Sequence, residues 1–461
     1  MKILIALVAL LSSASSQAHV KWFSNYSFQE PPLSLAQLNT PVFWGLFLLS
    51  VVSMPIMVLL DSWADKSELY LKTNSFLDRY SDNGPVIMRI AMGAVLLMSW
   101  QGDSIIAPEI AVSSQIWSWV QLLLALLLIF KETTFIAGLG IVGFYLLGIS
   151  QEGLFHMLDY IVYPAIGLYL FFSYSKNEKL KNLDLPVLYS GLGFSLCWVA
   201  FEKLIYPYWG LSVLAKAPAL TMGLDHSFFL MACAFVEFSL GFLLIICLLH
   251  RPLAIVITLV FFTTTVFFGK TEVVGHTLLH GALLVFIVKG PGHYYQAPIR
   301  FHKNLWLKSL FAAVNFIILF VVLAIPYQKL SQTAHATSLA SKQPEFVVQP
   351  TDPKPSVMIH AAKDPHGGWN LHFMTENFVF TPELAGEKEI SGQGHAHLYV
   401  DGVKGSRVYS PWFHLSVGTG THKVKVTLNT NNHKDYVWES KVIGDEIEVS
   451  EDRKVKGGHQ H

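Results

Sequence analysis

Ten stretches of the chain are apolar and of membrane length, and no other feature limits the possible folds as strongly. They lie near 41–60, 85–100, 114–130, 133–149, 154–174, 186–205, 226–249, 252–268, 273–290 and 306–326. A bilayer core about 30 Å thick takes about 20 apolar residues as a helix. Inside it, with no water to satisfy the backbone, only helices and closed barrels are viable. Composition agrees: 52% of the 461 residues are apolar and 14% are charged, where a soluble domain carries roughly a quarter charged. A disordered chain is ruled out, and a soluble enzyme of this length is disfavoured. Lys+Arg and Asp+Glu balance at 32 each, so no global charge draws the chain to nucleic acid. The expected partner is the lipid bilayer.

The first residues read as a secretory signal over 1–18. Lys2 is its charged start, Ile3 to Leu11 its short apolar run, and Ser16-Gln17-Ala18 its small-residue cleavage site. Cleavage there makes His19 the first residue of a segment over 19–40. A terminal amine and an imidazole on one residue form a compact N,N chelate, and Cu(II) heads the affinity series for such ligands. The plainer reading is an ordinary first residue. Orientation follows from basic residues, which collect on the inner side. With the N-terminus outside, the inner loops hold eleven (Lys66, Lys72, Arg79, Lys131, Lys176, Lys179, Lys181, Arg251, Lys289, Arg300 and Lys303). The outer segments before residue 305 hold three (Lys21, Lys216 and Lys270). The expectation is an even number of spans in a cell inner membrane, with both ends in the periplasm.

After a first helix and inner loop over 41–84, two four-helix units follow, 85–174 and 175–290, and then an inner loop and last helix over 291–327. A shift of 120 residues aligns Gln151-Glu152-Gly153-Leu154-Phe155-His156 with Thr271-Glu272-Val273-Val274-Gly275-His276. The spacing places Glu272, His276 and His280 on one helix face, and Glu152, His156 and Asp159 on another. Ionisable groups are costly in lipid and face a bundle interior or a wet cavity. Three readings of the two rows stand side by side. They supply imidazole and carboxylate ligands to a metal, they relay protons to a quinone headgroup, or they hydrogen-bond and fix helix packing. Glu237 lies deep in its helix and needs a partner, Lys203 or Arg89; Lys203 could also snorkel to the interface. The three cysteines, Cys197, Cys233 and Cys247, lie in apolar stretches with no C-x-x-C pair, which gives no disulfide framework or zinc knuckle.

The second unit carries Phe201-Glu202-Lys203-Leu204-Ile205-Tyr206-Pro207, then Phe235-Val236-Glu237-Phe238, then Arg251-Pro252. In these residues it resembles the DoxX family of small four-helix membrane proteins. The first unit is more degenerate, with Gln101-Gly102-Asp103 near the place of Glu202-Lys203. The family includes the membrane subunit of a thiosulfate:quinone oxidoreductase, so the resemblance implies quinone-linked redox work at the membrane. No flavin, haem-attachment or nucleotide motif is visible, and such an enzyme needs a partner or a metal for its electrons.

Residues 328–354 are polar and aperiodic and read as a linker. From 355 to 450 short alternating runs replace them, as in Lys423-Val424-Lys425-Val426-Thr427-Leu428, with turns at Asp401-Gly402 and Gly418-Thr419-Gly420. About seven strands over that length predict an all-β sandwich of immunoglobulin or cupredoxin type. Eleven of the 19 histidines fall after residue 330. In Gly394-His395-Ala396-His397-Leu398 the two imidazoles of a strand point to one face, a pairing that suits copper or zinc, with Met358 or Met374 favouring Cu(I). His414 and His433 are candidates to complete the site, and 451–461 is a flexible tail containing His459 and His461. The leading expectation is a periplasmic metal site, copper before zinc, built from His19, His395, His397 and His414 and fed to Glu152, His156, Glu272, His276 and His280 at the membrane. A periplasmic metal donor or redox partner goes with it. The rivals are a quinone-linked oxidoreductase subunit and a structural or assembly factor.

Overall fold

The computed structural model of the chain describes residues 20–24, 26–28, 30–102, 104–107, 110, 114–268, 270–291, 304–340, 345–349, 352–365, 367–384, 388–432 and 434–451. It divides into two compact units, 1–334 and 335–461. The first is helical and the second is built of strands.

The main helices of the first unit are α1 (Pro41–Ala64), α2 (Glu68–Asp78), α3 (Gly84–Gln101), α4 (Gln115–Leu127), α5 (Thr134–Glu152), α6 (Val162–Ser173), α7 (Asp184–Ile205), α8 (Pro207–Lys216), α9 (His226–Ile245), α10 (His250–Phe268), α11 (Lys270–Lys289) and α12 (Leu305–Ala340). Each of the ten expected apolar stretches falls on helix. The number of spans is smaller than expected. Among the described residues six helices are long and apolar enough to cross a membrane, or seven if the bent pair Leu154–Tyr160 with Val162–Ser173, at 56°, counts as one span. Gln115–Leu127, His250–Phe262 and Gly275–Lys289 are shorter apolar helices among the described residues. The class, a multi-pass helical membrane unit, stands.

Local sequence explains several ends. Thr40 caps α1, its hydroxyl accepting from the amide of Phe43 at 3.2 Å, with Pro41 at the first helical position. Gly153 stops α5 with φ of +83°, a conformation that costs glycine little. The expected linker boundary at 328 is corrected: α12 runs through Pro326 and on to Ala340. The hydroxyls of Ser331 and Thr333 donate to the carbonyls of Gln328 and Lys329 within the helix, so these polar side chains are accommodated without ending it.

Packing within the bundle is reciprocal. The first helix of each stretch packs on the last helix of the other: α3 on α11, and α7 on α6. Both contacts use small residues. A Cβ added to Gly191 would collide with Ala165, and one on Gly281 with Ala91. Small residues let helix backbones approach where lipid gives no hydrophobic drive for association.

The second unit has eleven strands among its described residues, more than the seven expected, because several are short. They are β1 (Glu345–Val347), β2 (Ser356–Lys363), β3 (Trp369–Glu376), β4 (Val379–Phe380), β5 (Gln393–Val400), β6 (Val403–Val408), β7 (Trp412–Leu415), β8 (Gly420–Asn429), β9 (Asp435–Trp438), β10 (Lys441–Val442) and β11 (Gly444–Glu451). Eight form one sheet, with the path β1-β9-β8-β5-β4 and β10, β11 and β6 alongside; β2, β3 and β7 form a second. Ile359, Leu371 and Phe373 from the small sheet meet Ala396, Leu398, Val424, Val426 and Leu428 from the large one in a common core. This is the sandwich arrangement that the alternating pattern implies.

Candidate functional site

The segment before α1 is not a loose leader to the bundle. Its Leu33 amide donates to the Ile205 carbonyl at 2.8 Å, Tyr208 donates to the Pro31 carbonyl at 2.7 Å, and Trp209 Nε1 donates to Glu30 at 2.6 Å. These contacts hold the segment on the end of α7 and on α8. Lys21 thereby enters the protein. Its ammonium donates to Asp159 and lies 3.1 Å from Glu202, with all three side chains about 1% exposed. The rings of Tyr26 and Phe28 stand 5.7 Å away and that of Trp209 5.9 Å away, within cation–π range. Burial opposes the charge on Lys21, but Asp159 and Glu202 outweigh it and raise the pKa above its ordinary value. Neither Glu202 oxygen accepts a hydrogen bond among the described residues, so its interaction with Lys21 is an ion pair without hydrogen-bond alignment.

One residue further along α7, Lys203 pairs with Glu237 of α9 at 2.6 Å, both buried. Of the two partners expected for Glu237 the structure selects Lys203, which therefore does not snorkel. Arg89 instead donates to the Leu128 carbonyl at 2.7 Å and to that of Ile129, at the end of α4.

The two expected rows fare differently. Glu152, His156 and Asp159 do not share a helix face, because Gly153 breaks the helix between them: Glu152 is exposed at the end of α5 and His156 is buried in the short turn that follows. His156 packs against Tyr26 (5.7 Å), Tyr160 (5.9 Å) and Phe28 (6.5 Å). His276 and His280 do share a face of α11, with ring centroids 6.3 Å apart, and His276 stacks on Phe261 at 4.6 Å. The side chain of Glu272 lies outside the described residues, as do His19, His433, His459 and His461. Among the described residues no three His, Cys, Asp or Glu groups converge as a metal site would require.

In the β-domain, Ala396 and Leu398 face the core, so His395 and His397 occupy the opposite face of β5. Both are nevertheless buried. Their Nε2 atoms lie 3.0 Å apart. Across the ladder they face Asn429 and Thr427 of β8. Asn429 donates to Asp435 at 2.5 Å, and Tyr409 stacks on His395 at 5.1 Å. His414 does not join them. It stands on β7 in the other sheet, its Nδ1 2.9 Å from Asn370 Oδ1.

Sequence reasoning passed over Lys21, counting it only as a loop charge. Its partner Asp159 is 138 residues away, and no local spacing signals such a contact. Compared with protein-family models, curated proteins and solved structures, the chain matches none of them.

Proposed function

We propose that this is an inner-membrane protein, DoxX-like in its tandem helical units, whose periplasmic β-domain holds a transition-metal ion, copper before zinc. The single observation that supports this reading best is the His395–His397 Nε2 separation of 3.0 Å. With metal–nitrogen bonds of about 2.0–2.1 Å, two such nitrogens subtend roughly 95° at a shared ion. That is the cis angle of tetragonal Cu(II), and a tetrahedral ion accepts it with small ring movements. His19, with an amine and an imidazole of its own, is the second proposed ligand set. A periplasmic metal donor is the partner implied.

The test is elemental analysis of the purified full chain after aerobic loading with Cu(II), then desalting, alongside the His395→Ala/His397→Ala variant. The expected result is bound, nitrogen-coordinated copper by electron paramagnetic resonance, with the variant holding one equivalent less than the wild type because the His19 set is left intact. Equal copper in both proteins, or none in the wild type, overturns the assignment.

A second reading, a quinone-linked subunit, is favoured by a cavity of about 650 Å³ between α1, α9 and α10, lined by Met54, Trp63, Tyr70, Phe229, Cys233 and Leu253 among others. Ser50 and Ser239 in its wall donate to carbonyls of their own helices, so the space suits an apolar chain. Donor-dependent quinone reduction abolished by His276→Ala supports this reading, and its absence from the full chain counts against it.

A further inference from the structure

The open face of the small sheet carries a set of side chains that the buried histidine pair does not use. Antiparallel pairing of β2 with β3 sets Met358 opposite Met374 and His360 opposite His372. Positions two apart on a strand share a face, so the four form a square: two thioethers in one row, two imidazoles in the next. Inward-facing Val357, Ile359, Leu371 and Phe373 fill the core, which leaves the square on the outside of the sandwich. Met358 is 60% exposed and Met374 44%. Directly opposite residues have Cβ atoms about 4.5–5.5 Å apart, a span that long methionine and histidine side chains close easily. His372 is held in place, its ring stacked on Trp412 of β7 at 4.1 Å and 8°.

We propose that this face is a Cu(I) site, with Met358, Met374, His360 and His372 as its ligands. Thioether sulfur is soft and selects Cu(I); imidazole serves Cu(I) as well, whereas Zn(II) gains little from thioether. The site lies on the other sheet from His395 and His397 and does not depend on them, so it goes beyond the reading above. Open to solvent, it accepts an ion from a carrier and gives it up again, and the flat stacked rings of His372 and Trp412 keep one ligand oriented throughout.

The experiment is an anaerobic Cu(I) titration of the full chain against a chromophoric Cu(I) chelator, with X-ray absorption at the copper edge. The variants are Met358→Leu/Met374→Leu, which keeps volume and strand pairing, and His395→Ala/His397→Ala. The expected result is Cu–S scattering in the wild type and in the histidine variant. In the leucine variant that scattering disappears, and affinity falls by more than the roughly 10–100-fold that losing a supporting outer group costs. Circular dichroism confirms that the leucine variant is folded. Unchanged Cu(I) affinity in the folded leucine variant, or copper bound by the wild type without sulfur, overturns the proposal. Loss of copper in the histidine variant alone would overturn it too, while supporting the buried pair.

Discussion

Lys203 and Glu237 meet at 2.6 Å inside the bundle, whereas Met358, Met374, His360 and His372 stand on an open sheet face in the β-domain. In the bundle an ion must bring its own partner, since an unpaired charge in an apolar interior costs several kcal/mol. The ammoniums of Lys21 and Lys203 are accordingly engaged by carboxylates from distant helices. On the outside of a sandwich, water covers the cost of polar groups, and strand alternation alone arrays them. Charge in the first region is therefore neutralised within the bundle; donor atoms in the second remain available to a ligand.

The largest effect that separates the two regions belongs to the buried pair. Glu237→Gln or Lys203→Met alone is expected to destabilise the bundle by about 3–5 kcal/mol, read as a lower unfolding midpoint in detergent. The double variant Lys203→Met/Glu237→Met should recover most of that loss. If each single variant is neutral, the two charges are not paired in the buried interior. Next comes Lys21→Met, which strands Asp159 and Glu202 and is expected to cost about 3 kcal/mol. It should also free the segment before α1, seen as faster amide hydrogen exchange over 20–33 than in wild type. Unchanged exchange there would show that Glu30, Pro31 and Leu33 hold the segment by themselves.

The smallest effect lies in the β-domain. His422 Nδ1 pairs with Asp401 at 2.7 Å, and the amide of Lys423 donates to the same carboxylate at 2.9 Å. The hydrogen bond that His422 Nδ1 donates to Asp401 raises the pKa of His422 and lowers that of Asp401. For the histidine, the stabilisation is full below its ordinary value and is lost as pH rises through the raised one. For the carboxylate it is present above its ordinary value and is lost as pH falls through the lowered one. The pair is thus strongest in mildly acidic solution. Nuclear magnetic resonance titration of His422 should show a lower pKa in Asp401→Asn; an unchanged value removes the pairing.

Much of the helical class was legible because lipid imposes a coarse rule. Each apolar stretch became a helix, and depth alone showed that Glu237 needs a partner, while the choice of Lys203 over Arg89 came from the packing. The row Glu152, His156 and Asp159 misled because spacing assumes an unbroken helix, and Gly153 ends it. The polar run after 327 misled in the other direction: composition marked a linker, while α12 continued to Ala340. In the β-domain the shared face of His395 and His397 follows from strand alternation, but the placement of His414 in the other sheet depends on strand order, which alternation does not encode.

By itself the sequence determined that an apolar helical unit is joined to a strand-rich one, and which residues of each strand point together, because helix and strand periods are local properties of the backbone. Only the tertiary structure decided that Lys21 closes on Asp159 and Glu202, that Met358 faces Met374, and that His414 stands apart from His395. Those relations join residues tens to hundreds of positions apart, and packing and pairing register, not local spacing, bring them together.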